Sequence, residues 1–185
     1  MAKKRLSELE RPSVAAYRKQ PKLPVVLVLD NVRSALNVGS AFRTADAFGI
    51  EQLYLCGITA TPPHREILKT AIGATESVAW SYAPDTAALL TRLGEAGYRT
   101  IGIEQTTDAV ALQEVRLDPA RRYAFVLGNE VDGVSEAALA QCVRTLEVPQ
   151  FGTKHSLNVA VCAGVVLWEA VRQLKFGAST ARVVA

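Results

Sequence analysis

The sequence predicts an α/β fold with a mainly parallel sheet and helices on both faces, and three observations carry that prediction. Val25–Leu29 is a continuous β-branched and Leu run without polar alternation, the mark of a strand covered on both sides. Similar short apolar runs then alternate with segments of helical period, the order that builds βαβ units. Composition agrees: 49% apolar and 21% charged residues over a length of 185, with no repeat or low-complexity tract, describe one ordinary globular domain.

The elements follow in order. Leu6–Tyr17 reads as a short helix with Leu6, Leu9 and Val14 as weak apolar contacts, broken by Pro21 and Pro24. Val25–Leu29 is the first strand and Asp30–Ser34 a loop. A helix runs from about Asn37 to Phe48, with Ala41, Ala45 and Phe48 on its apolar stripe and Gly49 as its stop. Gln52–Cys56 is a second strand, Thr59–Pro63 a proline-bearing loop, and Ser77–Tyr82 a third strand. Asp85–Glu95 is a helix ended by Gly97, with Arg99–Glu104 and Tyr123–Leu127 as the fourth and fifth strands. Glu136–Gln141 is a short helix. Arg144–Val148 is the last strand, closed by Pro149, which cannot donate to a ladder. Ser156 stands where a helix N-cap is expected. Beyond it Leu157, Val161, Val165 and Trp168 recur at helical spacing, and the residues between them are apolar too, so this helix is buried on more than one side. The run Leu157–Val171 is too short to cross a bilayer.

Charge is unevenly placed. Residues 1–22 carry seven basic side chains against Glu8 and Glu10, whereas residues 23–185 hold 14 basic and 16 acidic ones. A basic arm on a near-neutral body suggests a polyanion partner, against the plainer reading of a solvated terminus. Cys56, Cys142 and Cys162 lie far apart with no CxxC pair, and His64 and His155 are the only histidines, so there is no zinc framework. The polar N-terminus and unpaired cysteines predict a cytoplasmic protein with no metal and no membrane contact.

Familiar nucleotide and hydrolase signatures fail. No G-x-G-x-x-G follows the first strand, and no phosphate-binding P-loop or nucleophile elbow occurs. Three polar clusters remain, each after a strand. The first is Asn37…Arg43-Thr-Ala-Asp-Ala-Phe-Gly49, the second Leu127-Gly-Asn-Glu130-Val-Asp-Gly133, and the third Val148-Pro-Gln…Gly152…Ser156-Leu-Asn158-Val. In a parallel sheet such strand ends converge on one rim, where ligands bind. Each cluster also has a structural explanation. Arg43 can pair with Asp46, Glu130 can cap a turn, and Asn158 can satisfy a helix terminus.

Together, in this order, the clusters resemble the SpoU/TrmH branch of the SPOUT methyltransferases, which move a methyl group from S-adenosylmethionine to a ribose 2′-hydroxyl of RNA. The resemblance spans about Pro24 to Lys175. It departs from the usual pattern at Val148-Pro149-Gln150, where Ile-Pro-Met is common, and at Ala160 and Cys162, where Ser and Ala are commoner. It implies a trefoil knot in the C-terminal third, a homodimer, and S-adenosylmethionine wrapped by the second and third motifs. Leu127, Gly128, Val148 and Leu157 would line the cofactor, with Gly128 letting backbone approach it and Glu104 near its ribose. Arg43, Asn37, Glu130, Ser156 and Asn158 would form the catalytic set. Arg43 acts either as a general base or as a phosphate clamp that stabilises the developing alkoxide.

Transfer RNA is favoured over ribosomal RNA as substrate, because no room is left for a separate N-terminal RNA-binding domain. Two rivals are a non-catalytic RNA-binding protein on the same fold and a base-nitrogen methyltransferase; Ser156-Leu-Asn158 argues against the latter. The basic arm is expected to reach outward and grip RNA for the other subunit's site.

Overall fold

A computed structural model describes residues 3–177. Seven strands, β1 (Leu23–Asp30), β2 (Ile50–Cys56), β3 (Trp80–Ala83), β4 (Tyr98–Ile103), β5 (Val110–Ala111), β6 (Arg122–Leu127) and β7 (Arg144–Glu147), form one sheet. Its order is β3-β2-β1-β6-β4-β7-β5 and every pairing is parallel. The central strand has the character read from Val25–Leu29: all five side chains are buried, in two different layers. Val25, Leu27 and Leu29 pack with α2 (Ala35–Phe48), α3 (Arg65–Ala71) and α7 (Val159–Leu174), while Val26 and Val28 pack with α5 (Thr86–Glu95) and α6 (Glu136–Leu139). Burying each such side chain stabilises the fold by roughly 1.5–3 kcal/mol. β1 is therefore the axis of both cores.

Several boundaries move for identifiable reasons. The expected helix over Leu6–Tyr17 divides into a 3-10 turn, Leu6–Leu9, and α1 (Val14–Lys19), because Pro12 intervenes and Ser13 starts a new helix by accepting from the Ala16 amide at 3.2 Å. α2 begins two residues before Asn37, capped by Ser34. Between Pro63 and β3 the chain forms α3 and a single turn, α4 (Ala74–Ser77), where the sequence offered no element before its third strand. Only Ile67 and Ala71 of α3 are buried, too few to show a period. Thr70 donates to the Leu36 carbonyl at 2.9 Å, and α3 crosses α2 at Gly39, where a Cβ would overlap Thr70 and the Ile67 carbonyl. The two-residue β5 is below the length at which alternation can be read. Ser156 is not a cap. α7 starts at Val159, and Asn158 caps it, accepting from Ala160 and Val161 amides at 2.9 and 3.3 Å.

The basic segment does not stand clear of the body over its second half. Tyr17 donates to the Asp46 carbonyl at 2.9 Å, Arg18 donates to the Glu76 carbonyl, and the Lys22 ammonium lies over the Tyr17 ring. Burial, with Asp46 adding, pushes the Tyr17 phenol up to about 12. These contacts are at the C-terminal end of α2, the end away from Asn37. Among the described residues no helix is long and apolar enough to cross a membrane.

The C-terminal topology positions the site. β6, β4 and β7 are neighbours although β5 and a crossing segment separate β4 from β6 in sequence. The last helix packs against that crossing segment. The Gln173 side chain accepts from the Leu117 amide at 2.8 Å and donates to the Val115 carbonyl at 3.0 Å.

Candidate active site

A cavity of about 370 Å³ opens at the carboxyl ends of β6, β4 and β7. That volume falls in the range of small-ligand pockets. Because all strands are parallel, the loops leaving Ile103, Leu127 and Glu147 meet on one rim. All five residues expected to line a cofactor, Glu104, Leu127, Gly128, Val148 and Leu157, line this cavity.

One wall is the turn that follows β6, residues 128–134. Asn129 is buried and its side-chain oxygen accepts from the Val131 and Asp132 amides, both at 2.9 Å. Gly133 closes the turn in the left-handed region, φ 68°. The expectation for Gly128 needs correcting. A Cβ there would overlap Gly133 and the Val134 amide, so the missing side chain makes room for the protein's own backbone rather than for a ligand. Glu104 is likewise engaged with backbone: one carboxylate oxygen accepts from Gln105 and the other from Val134, each at 2.9 Å. Asp30, 1% exposed, holds the next amide, Ser135, at 2.8 Å while accepting from Thr86 and Asn31. Asp30 and Asn129 were not foreseen. The only signal for Asp30 was a charged residue ending a wholly apolar strand.

The opposite wall is residues 149–157, whose side chains are mostly exposed. One hydrogen bond ties it down, from the Gln105 side chain to the His155 carbonyl at 2.7 Å. Gln150, Ser156 and Leu157 face the cavity from this side. Cys162, below them on α7, has its thiol pushed up to about 11 by burial, with the Glu104 carboxylate adding, so it is neutral at ordinary pH.

The three polar clusters converge in one hydrogen-bonded chain. The Asn158 amide donates to the Asn37 side-chain oxygen at 3.1 Å, and the Asn37 amide donates to Glu130. Each link is fixed by something else: Asn158 by the amides of α7, Asn37 by the first turn of α2, Glu130 by the 128–134 turn. Arg33 closes the same corner with Asp132 at 3.0 Å.

Arg43 is not part of this assembly. It lies on the solvent face of α2 with Leu36, Ser40 and Ala47, about 9 Å along the helix axis from Asn37 and about 120° round it. Nor does it pair with Asp46, which instead accepts from Ser77 at 2.5 Å.

A sequence profile of the SpoU rRNA Methylase family matches residues 24–168. The chain belongs to that family. Among its curated relatives is the 23S rRNA (guanosine-2′-O-)-methyltransferase RlmB of Neisseria meningitidis, 33% identical over 81% of this chain and 59% of the relative. The chain spans about three fifths to two thirds of the length of the curated relatives it matches. A solved rRNA methyltransferase from Sinorhizobium meliloti with AdoMet bound is 26% identical and superposes with a TM-score of 0.76 over 85% of this chain and 60% of that one. The TrmH/SpoU tRNA modifying enzyme of A. aeolicus, 24% identical, shares the fold at a TM-score of 0.77, covering 86% of this chain and 80% of that one. The three expected motifs all fall within the matched span.

Proposed function

We propose that this SpoU-family chain transfers a methyl group from S-adenosylmethionine to a ribose 2′-hydroxyl of RNA. The observation that carries the proposal is the Asn158–Asn37–Glu130 chain on the rim of the cavity, since it unites the three motifs at one point. The cavity suits the cofactor: Leu127, Val148 and Leu157 offer apolar surface for an adenine, and the 128–134 turn is already folded to hold one side. When bound, the cofactor supplies a methyl already activated on a sulfonium, so the protein's task is to hold the ribose oxygen in line and manage its proton. Asn37, Glu130, Ser156 and Asn158 orient the ribose and its phosphate. Arg43 clamps a phosphate and stabilises the alkoxide, because a guanidinium keeps its proton.

Arg43 faces away from its own subunit's cavity, and a second copy supplies what is missing. α7 presents Val161, Val165 and Trp168 to solvent at i, i+4 and i+7, with Phe176 against the Trp168 ring. A homodimer covering this stripe, and the adjoining face of α2, would carry each Arg43 toward the partner's cavity. The Gln173 contacts with residues 115–117 support a trefoil knot, with α7 drawn under the crossing segment. The arm's RNA contacts fall to residues 3–11, whose charged side chains are exposed.

Ribosomal RNA is the substrate class we propose, in place of the transfer RNA favoured from the sequence. Curated relatives at 31–33% identity are named for 23S rRNA, whereas the solved neighbours named for tRNA are 24% and 29% identical. The test is transfer of a labelled methyl to unmodified 23S rRNA and to unmodified tRNA transcripts, with the product located by its resistance to alkali. Arg43→Ala and Arg43→Lys should both abolish transfer while calorimetry shows cofactor affinity within a few-fold, since an ammonium does not reproduce the planar fork. Normal transfer by Arg43→Lys would refute the clamp.

A further inference from the structure

We propose that Phe151 is a stacking platform for an unpaired RNA base at the mouth of the cavity. This inference rests on reading the chain as an RNA-modifying enzyme.

Phe151 is 97% exposed, more than any other large apolar side chain among the described residues. Its position is not arbitrary. Gln150 before it and His155 after it both line the cavity while Phe151 itself does not, so the ring is carried outward by the loop that borders the opening. The Gln105–His155 hydrogen bond anchors the far side of the loop that carries the ring. Residues 149–157 contain one Lys or Arg side chain, Lys154, together with His155, and no carboxylate. An aromatic face beside a lone cation is the pairing that single-stranded nucleic acid uses, the base on the ring and the phosphate on the charge. Bases flanking a modified ribose in a loop are unstacked and gain from an aromatic partner. A Phe ring has two side-chain torsions to immobilise, so ordering it costs little.

The competing explanation is a contact between subunits. The exposed apolar stripe of α7 is continuous from Val161 to Trp168, and Phe151 is on the cavity loop instead of on that stripe.

The full-length protein is titrated into a fluorescein-labelled, unstructured 12-nucleotide RNA and followed by anisotropy. Phe151→Ala should weaken binding on the order of tenfold, the worth of one stacked base. Phe151→Trp should bind at least as well as the parent, and Phe151→Leu should lose nearly as much as Phe151→Ala, because leucine keeps apolar surface without a π face. The salt dependence should be the same in all four proteins, since stacking releases no counterions. Equal affinity of Phe151→Ala and parent overturns the proposal, as does a Phe151→Leu variant that binds normally or a parent that does not bind the strand. Sedimentation of Phe151→Ala as a smaller species than the parent also overturns it and assigns the ring to a subunit contact.

Methyl transfer is read separately. A parent protein that neither binds S-adenosylmethionine nor methylates RNA, with the Phe151→Ala loss intact, overturns the functional reading and leaves the stacking role standing. Transfer with no effect of Phe151→Ala on the strand does the reverse.

Discussion

The two walls of the cavity are built on opposite plans. Residues 128–134 are held from every side: Asn129 caps the turn internally, Glu104 and Asp30 take the consecutive amides of Val134 and Ser135, and Gly128 is packed against Gly133 with no space left. Residues 149–157 have the Gln105–His155 bond and little else. The turn at Gly128 is preorganised, so a ligand meets it without an ordering cost. The facing loop is mostly exposed and has few partners of its own. Under the proposed function the cofactor touches both walls, Leu127 and Gly128 on the fixed one and Leu157 on the exposed one, and the exposed loop is free to adapt to a polymer.

Substitutions at matched residues break or sharpen this contrast. The largest effect is expected at Gly128. Gly128→Ala must displace backbone, costing about 3 kcal/mol or more in urea unfolding. A value within experimental error of the parent would show that the wall yields. Asp30→Ala comes next, at about 3 kcal/mol, because it strands the Ser135 amide and the Thr86 hydroxyl in the interior. Hydrogen exchange at Ser135 should quicken with it, and unchanged protection would refute the role of Asp30 as a clamp. Asn158→Ala should cost about 1 kcal/mol as a lost helix cap, and single-turnover assays should show a fall in methyl transfer as Asn37 loses its partner. Gly152→Ala is the control on the open wall. Nothing lies within 4 Å of a Cβ there, so stability should change by less than about 0.5 kcal/mol. A Gly152→Ala effect as large as that at Gly128 would erase the distinction between the walls.

The legibility of the sequence follows the same line. β1 and α2 were readable because their constraints are repeated: every residue of Val25–Leu29 is buried and the α2 stripe recurs each turn. The motifs at Asn37, Glu130 and Asn158 were readable as a set, and the chain brings them together. Asp30 and the true role of Gly128 were hidden, since each acts through one long-range contact that leaves no period behind. Gly128 looks the same in sequence whether a ligand or Gly133 fills its space. Ser156 was misread as a cap because Ser and Asn are both good caps two residues apart, and Asn158 already holds two amides. Arg43 was assigned to the site by its motif, but its place on the solvent face of α2 depends on helix phase and not on spacing to Glu130.

The Asn158–Asn37 bond also bears on how the protein is made. Its partners are 121 residues apart, so at about 5–20 residues per second a ribosome delivers Asn158 roughly 6–24 s after Asn37. Glu130 follows Asn37 by 93 residues, so the first motif gains one neighbour, and β1 gains β6, before Asn158 is made. The Asn158–Asn37–Glu130 chain is thus among the last features the nascent chain can complete. A chain released just before Asn158 would contain all seven strands and both partners of the Asn37–Glu130 bond, and would lack the residue that ties the third motif to the first.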